Sequence, residues 1–341
     1  MKPRSSEIRP FAAVLLLTLA MSAFAAGNAE KKKDVRLKIA YIRPTKELYY
    51  SCGFEGAQMM AGRLRVDLVD FLSDMKGDQE TSRVQDAIAQ NVDGIILAPV
   101  SAASLTRDVS AAFEAKIPLL ALYGYSDELK NKMAGSVQAD VKQSSTMAGT
   151  WIAQNIPEGQ VACIMGLPGR GDAEIYRDAF QAEVEKNPKL KVVASVPGDW
   201  NRQKAFTQMQ SLIASFPTLK AVFAQNEDMA LGAARALKEA GKADQVTIIS
   251  QNGAPYGLDA IASGGIKATI SWSPSQEAQI ALRLLVDLVR SGRAPPKLTI
   301  SPMKVITKDT LSMATPWEAT SASTDATQSL DLSKLQHDFA K

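Results

Sequence analysis

The sequence predicts an α/β protein of two similar lobes, each a doubly wound parallel sheet. Three observations predict it. Short apolar runs alternate with amphipathic stretches of helical period along the chain; the second half repeats the layout of the first; and 341 residues exceed the roughly 100–200 that one domain usually takes. Strands separated by such helices pair in parallel and are covered on both faces.

In the first half, "LKIAYI" reads as a strand, followed by a helix from about Tyr49, then "RVDLVDF" and a helix near Asp78–Gln90. "GIILAP" leads into a helix near Ala103–Ala115, and "PLLALY" follows. The second half runs "VACIMG", "LKVVASV", "AVFAQ", "VTIIS" and "KATIS", each followed by a helix. In one of these helices Phe206, Met209, Leu212, Ile213 and Phe216 share a face at helical spacing. The stretches beginning "GDQETSRVQDAIAQ" and "GDWNRQKAFTQMQ" have one plan: Gly-Asp, an amphipathic helix, then a strand with a polar tip. Two such lobes with facing strand tips enclose a cleft, and carboxyl ends of parallel strands are where ligands bind. The repeat is far longer than the 20–50 residues of a solenoid.

The most polar of these tips is Gln225-Asn226-Glu227-Asp228, directly after "AVFA". One of the four can cap the helix that follows. A cap accounts for one polar residue, so the cluster is expected to face a polar ligand. The glycine-rich "GLPGRGDAE" from Gly166 also joins a strand to a helix, but it lacks the Gly-Lys-Ser/Thr of a P-loop. It reads as a tight ligand-facing turn.

The first residues carry an export signature. Lys2, Arg4 and Arg9 precede the apolar run Phe11 to Ala20, and Ala23-Phe24-Ala25 offers a cleavage site. Residues 1–29 are therefore expected to be a cleaved signal peptide, too short in its apolar part for a comfortable membrane span. No Cys follows that run, so lipid attachment is not expected, and the mature chain is expected in the periplasm.

Hydrophobic content of 46%, charged content of 22% and a net charge of +3 are those of an ordinary globular protein. No basic stripe suggests nucleic acid. Cys52 and Cys163 fall in different halves and are expected to be free buried thiols. The single histidine, His337, lies in a polar tail, so no His-based triad or zinc site is available in the folded body. Catalysis, a metal and a cofactor are not expected. The tail from about Ser312 is polar and poor in aromatics, so partial disorder is its default, with "LDLSKLQ" allowed as a short docked helix.

At this point the chain resembles a type 1 periplasmic solute-binding protein of ABC sugar transporters, of the ribose-binding kind. The resemblance covers nearly all of residues 35–312. It is most specific in "AVFAQNEDMALGAARALKEAGK" and "SQNGAPYGLDAIASGGIKATIS", with "GFEGAQ", "GIILAPVSAASL", "MAGTWIAQ" and "GDWNRQKAF" in support. It implies two lobes joined by a three-crossover hinge: 35–139 with 273–301, and 140–272 with 302–312, leaving 313–341 as a tail. It implies a monomer that closes on a sugar or polyol and delivers it to a membrane permease and its ATPase. A sensory role, docking on a chemoreceptor or sensor kinase, is the alternative, as is an amino-bearing solute or nucleoside as ligand.

The resemblance also implies a ligand set. Tyr49 and Tyr50 match the aromatic pair after the first strand, Trp200 another ring position, and Asn226 a ligand-contacting Asn, with Asp228 kept for the helix start. Asn252 stands where the family usually has a sugar-gripping Asp, and Trp272 where a polar hinge contact is common. Departures fall at Tyr123-Gly124, where ribose binders carry Asp-Arg, at Glu174 in place of an Arg, and at Glu47 in place of an Asn. Two guanidiniums are lost and two carboxylates gained unless Arg43, Arg170 or Arg177 restores one. That charge pattern ranks a neutral sugar or polyol first, an amino-bearing solute second and acidic sugars last, because burying like charges together is costly.

Overall fold

In the computed structural model, residues 36–124, 126–168 and 172–336 are described. The signal-peptide expectation, Arg170 and His337 lie outside the described residues.

One sheet contains β1 (Leu37–Arg43), β2 (Val66–Leu72), β3 (Gly94–Leu97), β4 (Leu119–Leu122), β5 (Gly135–Gln138) and β11 (Leu298–Ile300). Its order is β11-β5-β4-β3-β1-β2, all parallel. The other contains β6 (Gly159–Met165), β7 (Leu190–Pro197), β8 (Leu219–Ala224), β9 (Thr247–Asn252), β10 (Ala268–Ser271) and β12 (Lys304–Thr307). Its order, β12-β10-β9-β8-β6-β7, repeats the first, except that β12 runs antiparallel on the edge. In both sheets the winding reverses beside the first strand, between β1 and β3 and between β6 and β8. Such a reversal leaves a crevice at the carboxyl ends of the strands.

Helices α1 (Leu48–Leu64), α2 (Gly77–Ala89) and α3 (Ala102–Glu114) follow β1, β2 and β3. After β5 the chain crosses to the second sheet with α4 (Val141–Asn155), and α5 (Asp172–Val184), α6 (Arg202–Ser215), α7 (Glu227–Glu239) and α8 (Pro255–Ser263) complete that half. After β10 it returns as α9 (Pro274–Ser291), which packs on α1 and the first sheet. Each sheet is sandwiched between two apolar clusters, built on Ile39 and Leu285 or Ile95 and Val109 in one half and on Val222 and Met209 or Phe223 and Phe180 in the other. The chain therefore crosses between sheets after β5, after β10 and between β11 and β12.

Three strands have no apolar run in the sequence. β5 reads "GSVQ", and β11 and β12 have three and four residues. They add to existing sheets at or next to an edge, where pairing to a preformed neighbour substitutes for intrinsic pattern. Cys52 and Cys163 are free and buried.

The tail departs from the disorder its composition predicts. It forms a 3-10 helix (Lys308–Met313), a helix α10 (Ser321–Gln328) and a second 3-10 turn (Leu332–Leu335), and Gln336 bridges Thr299 of β11. Hydrogen bonds and apolar contacts of Trp317, Leu330, Leu332 and Leu335 hold this segment. Thr320 and Ser323 form a capping box, Arg63 pairs with Asp325, and the Arg283 guanidinium donates to the carbonyls of Thr327 and Leu330.

Candidate ligand-binding site

The residues expected to form the site all lie at carboxyl ends of strands or directly after them. Tyr49 and Tyr50 open α1 behind β1, Tyr123 follows β4, and Glu174 sits in the first turn of α5 behind β6. Trp200, Asn226, Asn252 and Trp272 follow or end β7, β8, β9 and β10 in turn. Several hold left-handed backbones that L-residues rarely adopt: φ is 62° at Tyr123, 58° at Trp200 and 109° at Asn252. Each such residue costs on the order of 1–3 kcal/mol and persists where its surroundings over-determine it.

On the side of the first sheet the rings converge. Tyr49 meets Tyr50 edge-on at 5.6 Å between centroids and Tyr123 at 5.2 Å. The Tyr123 hydroxyl is buried with no well-aligned partner. Tyr49 is already engaged: its hydroxyl donates to Glu277 Oε2 at 3.1 Å and accepts from Trp272 Nε1 at 3.2 Å. Trp272 is only 3% exposed and serves in this conformation as a strut from the hinge to Tyr49.

On the other side, Trp200 lies across Gly166, where an added Cβ would fall 1.9 Å from the indole. Its ring meets Tyr176 edge-on at 6.5 Å, and its Nε1 is buried without a partner among the described residues. Buried indole N–H groups normally find an acceptor, so this donor is free for a ligand.

The polar tip after β8 resolves into four separate tasks. Gln225 accepts from Gly166 N at 2.8 Å and donates to the Ala173 carbonyl at 2.9 Å, fixing the loop after β6. Asn226 caps α7, its Oδ1 accepting from Met229 N at 2.8 Å, which leaves its amide nitrogen for a ligand. Asp228 lies in the first turn of α7, the helix start expected for it, and pairs there with Arg202. Glu227 is buried and accepts from Gly253 N at 2.6 Å and Thr269 Oγ1 at 2.5 Å, pinning the turn after β9.

Glu47 is exposed at the start of α1 and makes no side-chain cap. Arg43 is held away by Asp70, with bonds of 2.9 and 2.8 Å from Nε and Nη2, and Arg177 pairs with Asp178.

Sequence reasoning missed Glu277 and Trp317. Glu277 is fully buried; beyond Tyr49 it accepts from Ser301 Oγ at 2.8 Å, and the Ala139 backbone also bonds to it. Ala139 and Ser301 lie in the first and third crossovers and Glu277 just after the second, so one carboxyl ties all three. Burial pushes it up to about 8, Glu227 to about 7 and Glu80 to about 8. An unfolded glutamate titrates near 4.3, so the folded chain holds extra protons between about pH 4.5 and 8. Stability then falls as pH rises through that window. Melting temperature should be higher at pH 6 than at pH 8.5, and Glu277→Gln should flatten the slope; a melting temperature that climbs across the window would contradict this.

Residues 42–294 match the family described as the periplasmic binding protein domain. The chain belongs to that family. Its fold is that of the type 1 periplasmic binding proteins, and relatives in the family are named as sugar-binding proteins. It is 33% identical over 265 residues to the ribose import binding protein RbsB of Salmonella typhimurium, covering 77% of this chain and 87% of the relative. It is 31% identical over 313 residues to the xylitol-binding protein of Mycolicibacterium smegmatis, covering 91% and 88%. An ABC transporter periplasmic solute binding protein from Actinobacillus succinogenes with bound D-allose superposes at a TM-score of 0.76, with 21% identity over 82% of this chain and 100% of that one. One from Bacillus halodurans with bound myo-inositol gives 0.75, with 20% identity over 82% and 96%. These two likenesses show the fold. Among the described residues, no helix is long and apolar enough to cross a membrane.

Proposed function

We propose that the protein is the exported binding component of an ABC importer that holds a neutral sugar or polyol between its lobes and presents it to a membrane permease and ATPase. The lobes we assign are 35–139 with 273–301 and 140–272 with 302–312. The observation that carries the ligand class is the pairing of the described arginines near the strand tips: Arg43 with Asp70, Arg177 with Asp178 and Arg202 with Asp228. What remains at the strand tips includes rings, amides, the Tyr123 hydroxyl with no well-aligned partner and the Trp200 N–H with none among the described residues. A polyhydroxylated solute has apolar C–H faces for the rings and hydroxyls for the amides, each neutral bond contributing about 0.5–1.5 kcal/mol net. None of these three arginines is left to meet an acidic sugar. Glu47, exposed to solvent, attracts an amino group only through a screened field, which ranks an amino-bearing solute second. The ribose and xylitol relatives support this ranking. Ligand favours the closed form by its differential affinity for it, and no bond in the solute is made or broken.

Thermal shifts with xylitol, D-ribose, myo-inositol, D-glucosamine and D-glucuronate test the reading. A bound solute at 100 times its Kd adds about 2.7 kcal/mol of stability, so the neutral compounds should include the largest shift. A preference for glucuronate would overturn the ligand class.

A further inference from the structure

The hinge has a fourth strand. β12 and the 3-10 helix after it belong to the second sheet's half, whereas α10 packs on α1 and α9 and Gln336 pairs with β11 of the first sheet. Residues 314–320 therefore cross from one half to the other a fourth time, outside the segment matched to the family. Midway across sits Trp317, 3% exposed. Its ring meets Tyr49 edge-on at 5.1 Å and packs with Cys52 of α1 and with Ala254 and Tyr256 of the loop and helix after β9. Its Nε1 donates to the carbonyls of Asn252 and Trp272, both at 3.1 Å. Beside it the Pro316 carbonyl accepts from Ser273 Oγ at 2.6 Å, in the second crossover.

From this arrangement we infer that Trp317 is a positioning residue of the ligand site, a wedge at the pivot that sets Tyr49, Asn252 and Trp272 relative to one another. The inference rests on the assignment of those three residues to the ligand site. Its physical basis is separate. Tyr49 belongs to one half and Asn252 to the other, and neither makes a direct bond to the other; the indole touches the first and bonds to the backbone of the second. Asn252 holds a φ of 109°, a conformation that needs outside support, and the bond to its carbonyl supplies it. The wedge is bonded to the second crossover at Trp272, and Pro316 beside it to Ser273.

Hydrogen exchange of the unliganded full chain decides the matter without any solute. In Trp317→Ala, amides of residues 47–54 and 250–257 should exchange at least tenfold faster, with residues 161–165 in the core of β6 unchanged. Should that variant not fold, Trp317→Phe carries the same comparison, since it keeps an aromatic ring, smaller than the indole, and removes both N–H bonds; there the effect should centre on 250–257. Exchange that quickens only within 314–336, leaving both site segments protected, would overturn the inference. A titration with xylitol and D-ribose adds a second reading: Trp317→Ala should weaken whichever the wild type binds by at least tenfold. If the wild type binds neither, the ligand class fails, while the exchange result still decides the role of Trp317.

Discussion

A Gly56→Val substitution is expected to destabilise the protein by about 3 kcal/mol, while Gly62→Ala on the same helix is expected to stabilise it by about 1 kcal/mol. Both glycines lie in α1, where glycine ordinarily weakens a helix. At Gly56 an added Cβ would fall 2.6 Å from the Ser275 carbonyl oxygen and 2.7 Å from its Cα. Ser275 is in the first turn of α9, and backbone cannot rotate aside as a flexible side chain can. The two helices would have to part, and Glu277, two residues on, would be drawn from Tyr49 and Ser301. At Gly62 nothing lies within 4 Å of the added Cβ, so only the helix propensity remains. Steric cost exceeds propensity at one site and is absent at the other. Urea denaturation of both variants measures the pair of signs; a stabilised Gly56→Val would show that α1 and α9 do not pack this closely.

Trp200→Ala is expected to weaken solute binding at least tenfold, about 1.4 kcal/mol. The ring packs against Gly166, at a backbone position strained to φ 58°, with a buried N–H that has no acceptor among the described residues. Trp200 also packs against the apolar clusters of its half, so truncation lowers stability whatever its role. Trp200→Phe separates the two contributions. It retains most of the packing and removes the donor, so a loss of affinity with a nearly unchanged melting temperature assigns the N–H to the solute. An Ala variant that melts early yet binds the solute found by thermal shift with wild-type affinity would make Trp200 a packing residue only.

The placement of the candidate site residues was legible because it is local. Tyr49 and Tyr50 behind a first strand, Trp200 after Gly-Asp, and Asn226 after "AVFAQ" are strand-tip residues recognisable from a few neighbours, and alternation of apolar runs with periodic helices is enough to place those tips. The same reasoning placed Asp228 at the helix start but left the order of residues 313–329 unread, since it could not weigh partners elsewhere in the chain. Asn226 caps α7 and Asp228, in its first turn, pairs with Arg202.

The sequence by itself determined two βα halves of parallel sheet, their family and the row of polar and aromatic residues at the strand ends, because period and short motifs are properties of neighbouring residues. Tertiary structure alone decided which of those residues remain open to a solute. Tyr49 meets Glu277 across 228 positions and Trp272 across 223, and Trp317 reaches Asn252 across 65. No local pattern encodes such pairs. They form only when four crossings of the hinge bring β1, β9, β10 and the tail to one point, where burial raises the Glu277 carboxyl and a single indole bonds to two strand ends.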